Sequence, residues 1–203
     1  MSQFEQRIKE LKGSSKVNEV HSEIASRYST ARSKAFDDAA YKCDHRTKTA
    51  EHLGLTPIGR GSVFAELVAV HPELPDVVLK VVEADDAGAA YAKACFEKKI
   101  VSIHAPVIHA YHEVEGKAFI YMERLIDLRE MPEDCSERME VNNDFMRYRI
   151  SEDLLSEAEI KTLPDYRDQF ERWNAEHEYR EDFHSGNAMF RADGTWVCID
   201  PVS

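Results

Sequence analysis

Apolar positions change period along this chain, and each change marks an element. Val17, Val20, Ile24 and Tyr28 recur at three- and four-residue intervals, one stripe of a helix. The spacing predicts a helix over 16–42, preceded by another over 3–12, with Gly13-Ser14-Ser15 between them and a serine able to cap the second. At Leu55 the texture becomes that of strands. Glu66-Leu67-Val68-Ala69-Val70 and Val77-Val78-Leu79-Lys80-Val81-Val82 are short β-branched runs separated by a proline-bounded turn. Val107 to Tyr111 and Lys117 to Met122, turning at Val114-Glu115-Gly116, complete an expected five-stranded antiparallel sheet. Asp85 to Lys98 is helical by composition, and Ile126 to Lys161 is polar and acidic, suited to short helices. Thr162-Leu163-Pro164 opens a further helix whose stripe is Tyr166, Phe170, Trp173 and His177, which places His177 in the core. Near the C-terminus, Ala188-Met189-Phe190 and Trp196-Val197-Cys198-Ile199 flank Asp193-Gly194, the outline of a hairpin.

That hairpin brings candidate chemistry together. Folding it back carries Asp200, at the end of its second strand, towards Asn187, at the start of its first. A carboxylate and an amide oxygen converging there suit a hard cation such as Mg²⁺. Asp182, five residues before Asn187, is a second carboxylate able to receive a proton from an attacking hydroxyl. This is the layout of a phosphoryl-transfer site. Upstream, Gly59 and Gly61 in Pro57-Ile58-Gly59-Arg60-Gly61-Ser62 let backbone N–H groups approach phosphate oxygens, although Phe64 stands where a third glycine would complete G-x-G-x-x-G. Lys80 sits inside an apolar run, where a buried ammonium needs an anionic partner. The bland alternative is an edge strand with Lys80 facing water.

Composition narrows the setting. The chain has 203 residues, 43% of them hydrophobic, enough for one core or two small lobes. Its net charge of -12 argues against binding a phosphate backbone, so no direct nucleic-acid contact is expected. Eighteen acidic and eight basic residues fall between Asp127 and Asp182, a surface able to attract basic proteins if it is more than a solvated face. The four cysteines lack metal-ligand spacing, and no apolar run approaches a membrane span. With no leader sequence evident, the expected location is the cytoplasm.

The order glycine turn, strand lysine, D-x-x-x-x-N, then Asp resembles protein kinases. The D-x-H-x-x-N form, with His184, is similar to the loops of aminoglycoside and choline kinases. The fuller strings D-F-H-S-G-N-A-M-F and I-D-P-V-S, with Gly88-Ala89-Ala90-Tyr91, resemble the early serine/threonine protein kinases of autographiviruses, short-tailed phages that encode their own RNA polymerase. The likeness runs from about Leu55 to Ser203. It implies an α+β, two-lobed kinase-like fold binding ATP and Mg²⁺ in its cleft: a helical extension over 1–52, an N-lobe over 53–125 and a reduced C-lobe over 126–203. By carry-over, Asp182 orients and deprotonates a substrate Ser or Thr, Asn187 and Asp200 hold the metal, and Lys80 holds phosphates under Gly59 and Gly61. Glu97 is the candidate partner of Lys80, and main-chain groups of Glu123 and Leu125 would meet adenine. The implied targets are host proteins, including RNA polymerase or RNA-processing enzymes, in the host bacterial cytoplasm. Departures from the cellular pattern are Arg180-Glu181-Asp182 in place of H-R-D and Asp200-Pro201-Val202 in place of D-F-G. Two alternatives stay open: a small-molecule kinase, and a pseudokinase that sequesters a host protein. The closing Pro201-Val202-Ser203 is expected to be mobile, with Ser203 an autophosphorylation candidate and Ser29 or Ser33 next in line.

Overall fold

A computed structural model describes residues 15–39, 45–58 and 65–203. The fold is α+β, and the chain divides into two compact units. Unit 1 runs to Asp85 and resumes over Val107–Arg124; unit 2 comprises Asp86–Pro106 and Leu125–Ser203.

Unit 1 is a five-stranded antiparallel sheet faced by helices α1 (Ser15–Asp38) and α2 (His45–Leu53). Its strands are β1 (Thr56–Pro57), β2 (Leu67–Val70), β3 (Val77–Glu83), β4 (Ile108–Val114) and β5 (Lys117–Glu123), in the order β1-β2-β3-β5-β4. The stripe Val17, Val20, Ile24, Tyr28 and Ala31 packs on Leu67, Leu79, Val81, Phe119 and Tyr121. Helices α1 and α2 therefore fall in the same unit as the sheet. Burying that stripe removes apolar area from water only if α1 lies on the sheet, so the helices belong to its unit. Glu66, at the entry to β2, fastens this packing by accepting from Tyr28 Oη (2.8 Å), Arg32 Nη2 (2.8 Å) and Lys117 Nζ (2.9 Å). Burial raises the Glu66 pKa, but these bonds and the Arg32 charge outweigh it and hold the group below the ordinary carboxylate value. The turn expected over Val114-Glu115-Gly116 is a two-residue one, Glu115 (φ 50°) and Gly116 (φ 77°), because Val114 still pairs with Lys117.

Unit 2 holds α3 (Ala87–Phe96), α4 (Asp134–Tyr148), α5 (Glu157–Ala175) and the hairpin of β6 (Ala188–Phe190) and β7 (Trp196–Cys198). Residues 86–106 fall here and not with the sheet. Tyr91 of α3 explains it. Its ring meets Trp173 of α5 (centroids 5.8 Å), its hydroxyl bonds that of Tyr166 (2.7 Å), and it donates to the Cys198 carbonyl (3.3 Å). Further along, His104 bonds the Trp196 carbonyl (2.8 Å) and Thr162 Oγ1 (2.8 Å), and Arg191 donates to the carbonyls of Ile103 and Ala105.

The start of α5 also differs from expectation. Ser156 and Glu159 form a reciprocal capping box, so the helix begins at Glu157 and passes through Pro164. Its stripe is buried at Tyr166, Phe170 and Trp173, but His177 is exposed. The helix ends at Ala175, and His177 stacks on Trp173 from outside (centroids 4.9 Å). Where only short helices were expected, α4 is one continuous helix of 15 residues. Among the described residues, no helix is long and apolar enough to cross a membrane.

Candidate active site

The hairpin forms at the expected place, with Ala188 opposite Cys198 and Phe190 opposite Trp196. Gly194 (φ 83°) takes the left-handed position in its turn. Two chain segments are then laced beside it. Ile199 N–H donates to the Asn187 carbonyl (2.8 Å) and Asp182 N–H to the Pro201 carbonyl (2.8 Å). Asp200 lies between Ile199 and Pro201, so it is bracketed by bonds to the two loop residues that matter. Backbone pairing thus brings Asp182, Asn187 and Asp200 to one place. Phe183, 2% exposed, anchors the loop by packing edge-on against Phe170 of α5 (centroids 5.1 Å).

Pairing continues past Asp200. Glu181 bridges Val202, and Ser203 N–H donates to the Arg180 carbonyl (2.9 Å). Pro201 and Val202 are buried. The expectation of a mobile Pro201-Val202-Ser203 segment is overturned. The segment 180–182 takes up its backbone groups, and Val202 is buried, both of which favour order.

Asn187 Nδ2 donates to both the main-chain carbonyl (2.9 Å) and the carboxylate Oδ2 (3.1 Å) of Asp182. A carboxamide with its nitrogen so occupied turns its oxygen the other way, as an acceptor. That oxygen and the Asp200 carboxylate are the donor types Mg²⁺ takes when it keeps water and substrate phosphates as its other ligands. The residues present therefore fit such a cation. They are not a closed protein cage: among the described residues, no three His, Cys, Asp or Glu gather as a metal site.

His184 stands beside the proposed base. Its Nδ1 accepts from Gly186 N–H (2.9 Å), which places the proton of a neutral ring on Nε2, 3.5 Å from Asp182 Oδ2. The side chains of Asp182 and His184 are 38% and 50% exposed, open to solvent. A Cβ at Gly186 would come within 2.8 Å of His184 Cε1, so the glycine makes room for the ring. Behind the loop, Cys198 Sγ approaches the Asn187 carbonyl (3.5 Å), and burial pushes its thiol pKa far up. It is a neutral packing group, not a nucleophile.

Of the remaining candidates, Lys80 and Glu123 lie in unit 1. Lys80 lies in β3, between β2 and β5, with Val68 and Ile120 as register neighbours. The edge-strand alternative is thus excluded. Val77, Leu79 and Val81 join the core with α1, so the two-residue period puts Lys80 on the opposite face with Val78 and Val82. Glu123, 6% exposed, ends β5; its N–H donates to the Val107 carbonyl (2.9 Å) and its Oε1 accepts from Val107 N–H (2.8 Å). Leu125, two residues on, opens the second stretch of unit 2. Glu97 is exposed at the C-terminal cap of α3, in unit 2, with Lys99 Nζ 2.9 Å from its carboxylate. Gly59 and Gly61 lie outside the described residues.

Gly88 is a site neighbour that motif reading passes over. It is buried in the first turn of α3, directly against the Asp200 carboxylate. The sequence signal was a single glycine in a run of alanines.

No protein-family model matches the chain, and no curated protein sequence does.

Proposed function

We propose that this chain is an ATP- and Mg²⁺-dependent serine/threonine protein kinase of the phage type, acting on host proteins. The observation that carries the reading is the Asn187 carboxamide. It grips Asp182 through its nitrogen, which leaves its oxygen available as a ligand in a loop whose backbone bonds bracket Asp200. A bound Mg²⁺, held by Asn187 and Asp200, would neutralise charge on the transferring phosphoryl group. Asp182 accepts the proton of the incoming Ser or Thr hydroxyl, and Asn187 fixes the direction in which its carboxylate faces. Lys80 supplies a phosphate-binding charge from a central strand, and main-chain groups of Glu123 and Leu125 meet adenine.

His184 favours a second reading, phosphoryl transfer to a small molecule, because D-x-H-x-x-N is shared with aminoglycoside and choline kinases. Incubation with γ-labelled ATP, Mg²⁺ and host extract separates the two. A protein kinase labels protein bands with the wild type and not with Asp182→Ala or Asp200→Ala. Label appearing only in small acid-soluble products would support the second reading. Hydrolysis and labelling absent from every form would refute both.

A further inference from the structure

The first turn of α3 and the candidate metal ligand meet at one atom. A Cβ built on Gly88 would overlap Asp200 Oδ1, lie 2.9 Å from Asp200 Cγ, and lie 3.0 Å from Asp86 Oδ1. Asp86 is itself fixed as the helix N-cap, accepting from Ala89 N–H (3.2 Å). A side chain at position 88 therefore meets two carboxylates, and the Asp200 carboxylate must turn away to admit it.

Gly88 does not owe its place to backbone conformation. Its φ is not positive, whereas among the described glycines Gly54, Gly116 and Gly194 have positive values. Glycine weakens a helix interior relative to alanine, and its neighbours Ala87, Ala89 and Ala90 are all alanine. What position 88 needs is the absence of a side chain, because Asp200 comes there. The backbone reinforces this demand, since Asp200 is held on both sides by Ile199 and Pro201 and cannot slide along its strand.

We propose that Gly88 is a positioning residue for Asp200: by carrying no side chain it lets α3 close on the carboxylate and fix the direction in which Asp200 faces a cation. This rests on the reading of Asp200 as a Mg²⁺ ligand. Any side chain at 88 turns Asp200 away, so Mg²⁺-dependent nucleotide binding weakens although unit 2 still folds. Partners that orient a metal ligand from behind are typically worth about 10- to 100-fold in metal affinity.

The test uses the whole chain as wild type, Gly88→Ala, Asp200→Ala and the double variant. Melting without ligand reports the contact itself. Gly88→Ala lowers the melting temperature in the wild-type background, whereas on Asp200→Ala it has no effect or raises it. A double variant that melts as far below Asp200→Ala as Gly88→Ala melts below wild type overturns the proposal, because α3 then rejects alanine for a reason other than Asp200. Titration of Mg²⁺ at fixed ATP, followed by nucleotide binding and by phosphoryl transfer, reports the role. Gly88→Ala requires about 10- to 100-fold more Mg²⁺ and recovers when it is supplied, whereas Asp200→Ala does not recover. A general loss of structure would not be rescued by the cation. If Asp200→Ala loses Mg²⁺ dependence while Gly88→Ala titrates like wild type, the positioning role is refuted and the kinase reading stands. If wild type shows no Mg²⁺-dependent nucleotide binding, the kinase reading fails and this proposal falls with it.

Discussion

Acid should loosen unit 1 at the seam between α1 and the sheet. There His21 of α1 lies flat on His112 of β4, with ring centroids 3.8 Å apart and planes 10° from parallel. Tyr121 of β5 places its hydroxyl 3.3 Å from His21 Nδ1, and Phe119 meets the ring edge-on. Burial, then the charge His112 would carry, depress the His21 pKa to about 4, and burial lowers that of His112. A histidine depressed in the folded state contributes stability above its unfolded pKa of roughly 6.5, and that contribution is lost as pH falls towards 4. For a folded value of about 4, linkage gives a loss at pH 5 on the order of 2 kcal/mol from His21. The ring is only half-buried, so solvent screening reduces this to roughly 1 kcal/mol. For a chain of this size that corresponds to a melting point about 2–4 °C lower. The assay is thermal unfolding at pH 7.5 and pH 5.0 of wild type and His21→Phe, which keeps a ring in the stack but cannot charge. Wild type should lose about 2–4 °C more than the variant between the two pH values. Equal losses would show that the stack does not resist protonation and would refute the reasoning.

Two further outcomes follow from unit 2. Ser156→Ala removes one half of the capping box that starts α5, and should cost about 1 kcal/mol, read as a drop in the denaturant midpoint with an unchanged slope; no change would mean the first turn of α5 is held by its packing alone. The outer face of α4 exposes Glu137, Glu140 and Asp144 within the acidic stretch, so raising ionic strength to physiological levels should slow phosphorylation of a basic protein more than that of a neutral peptide. Equal slowing would leave that face an ordinary solvated surface.

What was legible in the sequence depended on whether the deciding interactions were local. Asp193-Gly194 and Glu115-Gly116 carry their turn geometry in their own backbone preferences, and both hairpins formed in the expected place. Convergence of Asp182, Asn187 and Asp200 followed from one of them. The run Ser156-Glu157-Ala158-Glu159 was a readable cap, but the apolar stripe beginning at Tyr166 drew the helix start towards Pro164 instead. Long α4 was hidden because two of its buried positions, Asn142 and Asn143, are polar and interrupt the stripe. Assignment of α3 to unit 2 depends on Tyr91 finding Tyr166, 75 residues away, and no local pattern encodes that distance. Order in Pro201-Val202-Ser203 likewise comes from pairing with 180–182, a tertiary contact that no local pattern in those three residues announces.

The central claim is that Asp182 moves a proton in a site whose nucleotide and metal are held by other residues. Asp182→Asn keeps the side chain's shape, while changing one carboxylate oxygen to an amide and removing its basicity. The decisive measurement is Mg·ATP affinity and the rate of phosphoryl transfer to a protein substrate, taken side by side on wild type and this variant. Affinity should remain nearly unchanged while transfer falls by about 10²-fold or more, the range for loss of a general base. Transfer near the wild-type rate would contradict the account and hand the role to another group, His184 first.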